Sequence, residues 1–175
     1  MMDEIFIVEY DPNWPILFQQ EAARIRETLK GNLITRIEHF GSTAVPGLAA
    51  KPIIDLLVGV RSLAEAKKVA VSALEPLGYA YWCDHPDPQR MFWVKGLPPN
   101  GPRTHHIHAI EADSLLWERL KFRDYLRQHP DEAARYARLK YRLCQRFSYD
   151  REAYTTGKAK YVESVMQKAR SLLTK

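Results

Sequence analysis

Apolar positions recur along this chain with two different periods, and each switch of period marks a new element. Ile5–Glu9 (IFIVE) has the composition of a short strand. Trp14, Leu17, Phe18, Ala22, Ile25 and Leu29 then recur at helical spacing. They predict a helix with one apolar face, opened by Asp11 and Pro12 and ended at Gly31-Asn32. Leu33–Phe40 and Ile53–Val60 read as strands on either side of a break at Gly41-Ser42-Thr43, and the second carries one carboxylate, Asp55, inside an apolar run. Ser62 and Glu65 form a capping box for a helix through Leu63, Ala66, Val69, Ala70, Ala73 and Leu74, which Pro76 stops. Tyr79–Trp82, Arg90–Lys95 and Thr104–Glu111 are strand-like, and the segments 84–88 and 96–102 between them read as turns or loops. From Asp113 the pattern is helical: one helix to about Gln128, one from Asp131 to near Tyr149, and one from Asp150 to about Leu173.

This order predicts the α+β class, a sheet packed with helices, in a single domain over residues 1–175 with a helical C-terminal subregion over 112–175. Composition agrees: 46% apolar and 27% charged residues are the proportions of a globular chain. No run approaches the roughly 18 apolar residues of a membrane span. The acidic start MMDEIFIVEY has no signal-peptide pattern, and Cys83 and Cys144 stand far apart in no ligand motif. The expectation is a cytoplasmic protein with two reduced thiols and no membrane partner. Charge is uneven: residues 113–175 hold 15 Lys and Arg against 8 Asp and Glu, whereas residues 1–112 hold 11 against 13. A basic C-terminal third would supply an attractive field for a nucleotide or nucleic acid, although by itself it reads first as solvated helix faces, and its helices lack the compact aromatic-and-basic motifs of nucleic-acid binders.

Two stretches carry candidate chemistry. Gly41 lets the backbone bend and approach a ligand, Ser42 and Thr43 offer hydroxyls, and a following helical turn would aim N–H groups at an anion. A carboxylate such as Asp55 is costly to bury unless something binds it, and one carboxylate near a phosphate cradle is the minimum for holding a divalent metal. In Arg103-Thr104-His105-His106-Ile107-His108, a strand would place His106 and His108 on one face, about 7 Å apart, within reach of a common metal or phosphate. Imidazole favours Zn²⁺, Mn²⁺ or Fe over Mg²⁺. Lys51, Arg90, Lys95, Arg103, Lys140 and Lys158 are the cations that would neutralise phosphates.

The stretches HFGSTAVPGLAAKPIIDLLV, RMFWVKG, RTHHIHAIE, FRDYLRQHP and YTTGKAKYVESV resemble the GrpB-like family of small bacterial proteins, over roughly Val8 to Ala169. That resemblance implies the nucleotidyltransferase fold, with a mixed β-sheet, and a link to dephospho-CoA kinase, to which such proteins are sometimes fused. It establishes no activity. Phe40-Gly41-Ser42 matches the start of the superfamily pattern and Asp55 matches one of its carboxylates. The partner carboxylate would fall at Ile53 or Leu57, both apolar, and the later strand offers His106 and His108 where an acid is expected; Glu38 and Glu111 are spare acids nearby.

The leading expectation is a metal-dependent nucleotidyltransferase-like protein acting on an unspecified acceptor. Gly41, Ser42, Thr43, Lys51, Arg90 and Lys95 would hold nucleotide phosphates. Asp55, His106 and His108 would hold a divalent ion (Mg²⁺, Mn²⁺ or Zn²⁺), with Asp55 and His108 in the catalytic roles and His108 alternatively a general base. A non-catalytic binder of nucleotides or coenzyme-A precursors, and a metal-dependent phosphohydrolase, stay open beside it.

Overall fold

The computed structural model describes residues 4–97 and 101–171, so the Pro98-Pro99-Asn100 part of the expected loop and the end of the last expected helix lie outside the described residues. The elements are α1 (Trp14–Thr28), β1 (Ile34–Phe40), β2 (Ile54–Val60), α2 (Leu63–Leu74), β3 (Tyr79–Tyr81), β4 (Met91–Lys95), β5 (His105–Ile110), α3 (Arg119–Gln128), α4 (Pro130–Arg146), α5 (Arg151–Gly157) and α6 (Ala159–Ser171). The expected α+β class is what forms. Over the described residues the chain groups into two compact units interleaved in sequence. One, over 12–40 and 53–116, holds the sheet; the other, over 4–11, 41–52 and 117–171, holds the C-terminal helices.

The sheet is mixed, in the order β1-β2-β5-β4-β3, with β2 and β5 parallel and the other pairs antiparallel. The central strands are apolar because both their faces are covered: Leu56, Leu57 and Val58 of β2 and Ile107 and Ile110 of β5 are buried. Helix α1 contacts β1 and β2, and α2 contacts β3. The capping box forms: Ser62 accepts the Glu65 amide at 3.3 Å. Glu111, a spare acid in the sequence, accepts the Leu63 amide at 2.7 Å and so serves the same helix start. Helix α1 begins at Trp14 with Pro15 in its first turn, two residues later than the Asp11-Pro12 start expected, and Asn13 makes no side-chain cap.

In the helical unit, Val45, Leu48, Leu126, Ala133, Tyr136 and Val165 form the core. The expected strand Ile5–Glu9 is a single bridge, Val8 with Ala50. Continuing that ladder would put Phe6 opposite Pro52, which has no N–H, and Tyr10 opposite Leu48, whose amide already bonds the Val45 carbonyl at 3.2 Å. The expected last helix is two, α5 and α6, divided at Gly157-Lys158; Asp150 caps the first by accepting the Ala153 amide at 2.9 Å. The expected start at Asp113 is also late, since α3 follows a 3₁₀ turn over Leu115–Glu118. No helix among the described residues is long and apolar enough to cross a membrane.

A buried ionic network ties α1 to the sheet. Glu21 of α1 is 3% exposed at its side chain, and its Oε1 accepts from Lys95 Nζ at 2.7 Å and Tyr79 Oη at 3.0 Å. Burial pushes the Glu21 carboxyl up, but the Lys95 hydrogen bond, with help from His105 and Tyr79, holds it below the usual range. The paired carboxylate therefore adds stability that is present above its unfolded pKa near 4.5 and is lost as pH falls through the lower folded value. We expect Lys95→Met to cost about 3 kcal/mol at pH 7 in urea unfolding, because it strands a buried charge, with the cost shrinking toward pH 4 as Glu21 protonates. Arg24→Ala, which removes an ion pair to Glu21 whose arginine is 62% exposed, should cost less than about 1 kcal/mol. Equal costs, or a Lys95→Met cost that does not change with pH, would contradict this assignment.

Candidate functional site

Strand register brings the chemical groups of the sheet unit together. Parallel pairing sets Asp55 beside His106 and Leu57 beside His108, and antiparallel pairing sets Phe92 of β4 beside His108 and Phe40 of β1 beside Asp55. Asp55, His106, His108 and Phe92 therefore share one face, while His105, Ile107, Trp93 and Lys95 take the other. His106 Nδ1 lies 3.1 Å and His108 Nε2 3.8 Å from Asp55 Oδ1. One ligand atom from each of the three residues falls within 4.8 Å of the others. The aspartate side chain keeps 26% exposure and the imidazoles 11% and 13%, so the cluster is walled in but reachable. Phe92 holds both rings, at centroid distances of 5.1 Å and 4.8 Å, and Phe40 meets His108 edge-on at 5.0 Å.

Arg90 completes the cluster. Its Nη1 is 3.3 Å from His108 Nδ1 and its Nη2 contacts His85 Nε2. A guanidinium only donates, so His108 Nδ1 accepts and the proton of the neutral ring sits on Nε2, toward Asp55. His85 was not singled out from sequence. The signal was local: a turn in which the Asp87 amide bonds His85 Nδ1 at 3.1 Å and the Gln89 amide bonds Asp87 Oδ1 at 3.0 Å folds the chain back, so a histidine five positions before Arg90 meets it.

Charge is arranged to favour an ionised Asp55 beside a neutral His108. Burial pushes Asp55 up, but hydrogen bonds from His106 and His108 outweigh it and hold the carboxyl well below the usual range. Burial lowers His108 to about 4 against the pull of Asp55, with the Arg90 and His106 charges adding to the fall. Burial, then the Arg90 charge, also lowers His85.

These residues fit a divalent cation. Two ligands bonded at about 2.0–2.2 Å to one ion stand roughly 3.3–3.6 Å apart at a tetrahedral angle, and the 3.1 Å and 3.8 Å spacings of Asp55 Oδ1 from His106 Nδ1 and His108 Nε2 bracket that range. His106 Nε2 is buried with no hydrogen-bond partner among the described residues. An ion at Nδ1 would move the ring proton to Nε2, a nitrogen that no hydrogen bond among the described residues commits to the accepting role.

Three other residues singled out in the sequence have partners of their own. Lys95 stands three residues along β4 from Phe92, so it points to the opposite face of the sheet, where it is bound to Glu21. Glu38 pairs with Arg36 at 2.9 Å and Glu111 serves α2, so neither restores the missing carboxylate; Leu57 is fully buried and Ile53 nearly so. Gly41, Ser42, Thr43 and Lys51 belong to the helical unit. Gly41 takes φ 75° and ψ −171°, a conformation essentially reserved for glycine. The helical turn after it is three residues of 3₁₀ helix, in which the Ala44 and Val45 amides bond back to Gly41 and Ser42, and Thr43 is buried.

A model of the GrpB protein family matches residues 4–168. A UPF0157 protein of Pseudomonas aeruginosa is 47% identical over 171 residues, covering 95% of this chain and 68% of that protein. The crystal structure of the conserved protein GrpB from Enterococcus faecalis is similar with a TM-score of 0.85 at 33% identity, covering 97% of this chain and 100% of that one. A dephospho-CoA kinase of Mycolicibacterium paratuberculosis is 31% identical over 186 residues, which span 93% of this chain and 45% of the kinase. With matching signature stretches, a matching family model and a matching solved fold, the chain belongs to the GrpB family.

Proposed function

We propose that Asp55, His106 and His108 hold a single divalent ion, of the softer kind that imidazole prefers, and that this centre acts on a phosphorylated small molecule in the manner of a nucleotidyltransferase. The observation that carries the reading is the convergence of one carboxylate and two imidazoles on one sheet face, with Asp55 held ionised and His108 held neutral. Such an ion would polarise a phosphoryl oxygen and offset the charge of the phosphates. The chain's own residues do the rest. Asp55 supplies the negative charge of the site at neutral pH. Phe92 and Phe40 fix the planes of the two imidazoles. Arg90 would be the phosphate-facing cation of the cluster: with Nε2 given to an ion, the His108 proton would sit on Nδ1, opposite the Arg90 Nη1 donor, and that donor would turn to an anion.

A second reading has its own support. Two-metal phosphoryl transfer uses several carboxylates, and the cluster holds one among the described residues. A nucleotide or coenzyme-A-precursor binder without chemistry is consistent with that count, and the likeness to a dephospho-CoA kinase favours such a ligand. A phosphohydrolase would use the same three residues. Incubating the protein with Mn²⁺ and a nucleoside triphosphate separates the three: pyrophosphate release supports the transferase, inorganic phosphate the hydrolase, and calorimetric binding with neither product the binder.

Zn²⁺ or Mn²⁺ titration by calorimetry should show one site per chain, and Asp55→Asn or His108→Ala should weaken it by about 100-fold or more with the far-ultraviolet circular dichroism unchanged. Unaltered affinity in both variants would remove the assignment. The His108 titration gives a second check. Its folded value near 4 lies below the unfolded 6.5, so its contribution to stability is present above pH 6.5 and is lost as pH falls toward 4. Arg90→Met removes a charge that lowers this value, so NMR should show His108 titrating at higher pH in the variant; a value unmoved or lowered would contradict the contact.

A further inference from the structure

Helix α4 carries a stripe of arginines that the helix itself does not offset. Arg135, Arg138 and Arg142 follow one another at spacings of three and four, so they stand one above another on one face, over about 10 Å of helix. All three are exposed. The residues three and four positions from Arg138 are Ala134, Arg135, Tyr141 and Arg142; those around Arg142 are Arg138, Leu139, Gln145 and Arg146. None of these is acidic, and like charges at such spacings work against the helix. The negative end of the helix dipole favours Arg146 in the last turn, but its pull fades before Arg138 and Arg135. Arg138 and Arg142 have no hydrogen bond or ion pair among the described residues. Arg135 meets Glu132 at 3.5 Å, with its own side chain 58% exposed.

The stripe lines a groove of about 510 Å³, within the range of small-ligand sites. Tyr161 of α6 lines the same groove. Its ring is stacked on Tyr136, with centroids 5.4 Å apart, and its hydroxyl donates to Glu132 Oε1 at 2.8 Å, so the ring is fixed in place. The acids bonded to groove residues have other partners: Glu132 accepts from Lys168 and Tyr161 as well as Arg135, and Glu9 accepts from Tyr141. A guanidinium stays charged at any physiological pH, and its planar fork matches a phosphate. Guanidiniums set a helical turn apart suit a chain that offers one phosphate after another, and a fixed aromatic ring beside them suits a base. An acidic peptide would want apolar anchor pockets, and the aliphatic part of this lining is Leu139.

We propose that the α4 groove binds single-stranded nucleic acid, with Arg135, Arg138 and Arg142 on successive phosphates and Tyr161 beside a base. Tyr161 comes from a different helix than the arginines, so no local sequence motif displays the combination. The site lies within the helical unit, uses none of the residues of the Asp55 cluster and needs no metal.

The test is run on the full chain in EDTA, so that its outcome is independent of the metal reading. The probes are fluorescein-labelled oligouridylate and oligothymidylate of about 12 nucleotides, followed by anisotropy between about 50 and 200 mM salt. Saturable binding is expected, with log K falling against log salt at a slope of about −2, roughly 0.7 for each of three phosphates. Arg138→Gln/Arg142→Gln, at exposed positions, should weaken binding by about tenfold or more at the low salt and flatten the slope by about 1.4. Arg26→Gln/Arg61→Gln removes the same charge from exposed positions of the sheet unit and should change the affinity by less than about threefold. Equal affinity for the two probes identifies the phosphate backbone as what is read; a preference for oligouridylate adds the 2′-hydroxyls. No saturable binding at the low salt or equal losses in the two double variants would overturn the proposal. So would polyglutamate of the same length competing as well as the RNA, which marks an acidic protein as the partner.

Discussion

The parallel ladder between β2 and β5 sets Asp55 opposite His106 and Leu57 opposite His108, and the chemistry of the sheet follows from that register. A slip of one residue would turn every side chain of one strand to the other face. Asp55 would then lose both imidazoles and stand as a lone carboxylate in an apolar strand, at a cost of several kcal/mol. The apolar residues on either side of Asp55 guard against the slip, since Ile54 and Leu56 are buried on the opposite face and have nowhere else to go. The candidate site is thus a consequence of core packing.

The two faces of the sheet handle buried charge by different means. On the α1 side, Glu21 is neutralised by Lys95 and Tyr79. On the other, Asp55 is hydrogen-bonded to His106 and faces a His108 whose burial keeps it neutral at pH 7. A saturated ion pair fastens a helix to a sheet; an uncancelled carboxylate beside two lone-pair donors attracts a cation. Lys140 poses the mirror problem in the helical unit, an ammonium that meets only a carbonyl and an aromatic face.

Much of this was legible in the residues themselves. Period-2 alternation placed His106 and His108 on one face and His105 on the other, and Asp55 stood out as a charge in an apolar strand. The Ser62–Glu65 capping box also formed as written. What sequence could not supply were partners at long range. Lys95 looked like a phosphate cation because its partner, Glu21, lies on a helix 74 residues earlier. The Ile5–Glu9 segment has strand composition, but Pro52 and a Leu48 amide spent in a turn leave it no ladder to join. At the split of the last helix a Cβ on Gly157 would stand 2.6 Å from Leu143 Cδ2, a long-range constraint that no local pattern encodes. Lys140 belonged to a set of six candidate cations, and only its burial separates it from the rest.

The most direct test of the central claim is a crystal of the protein grown with Mn²⁺ and a nucleotide and measured at a wavelength where manganese scatters anomalously. The account predicts one anomalous peak within about 2.0–2.4 Å of Asp55 and of both His106 and His108, with the Asp55–His106 hydrogen bond opened to admit it. A crystal saturated with Mn²⁺ in which that hydrogen bond is intact at 3.1 Å, and any peak lies elsewhere, would contradict it.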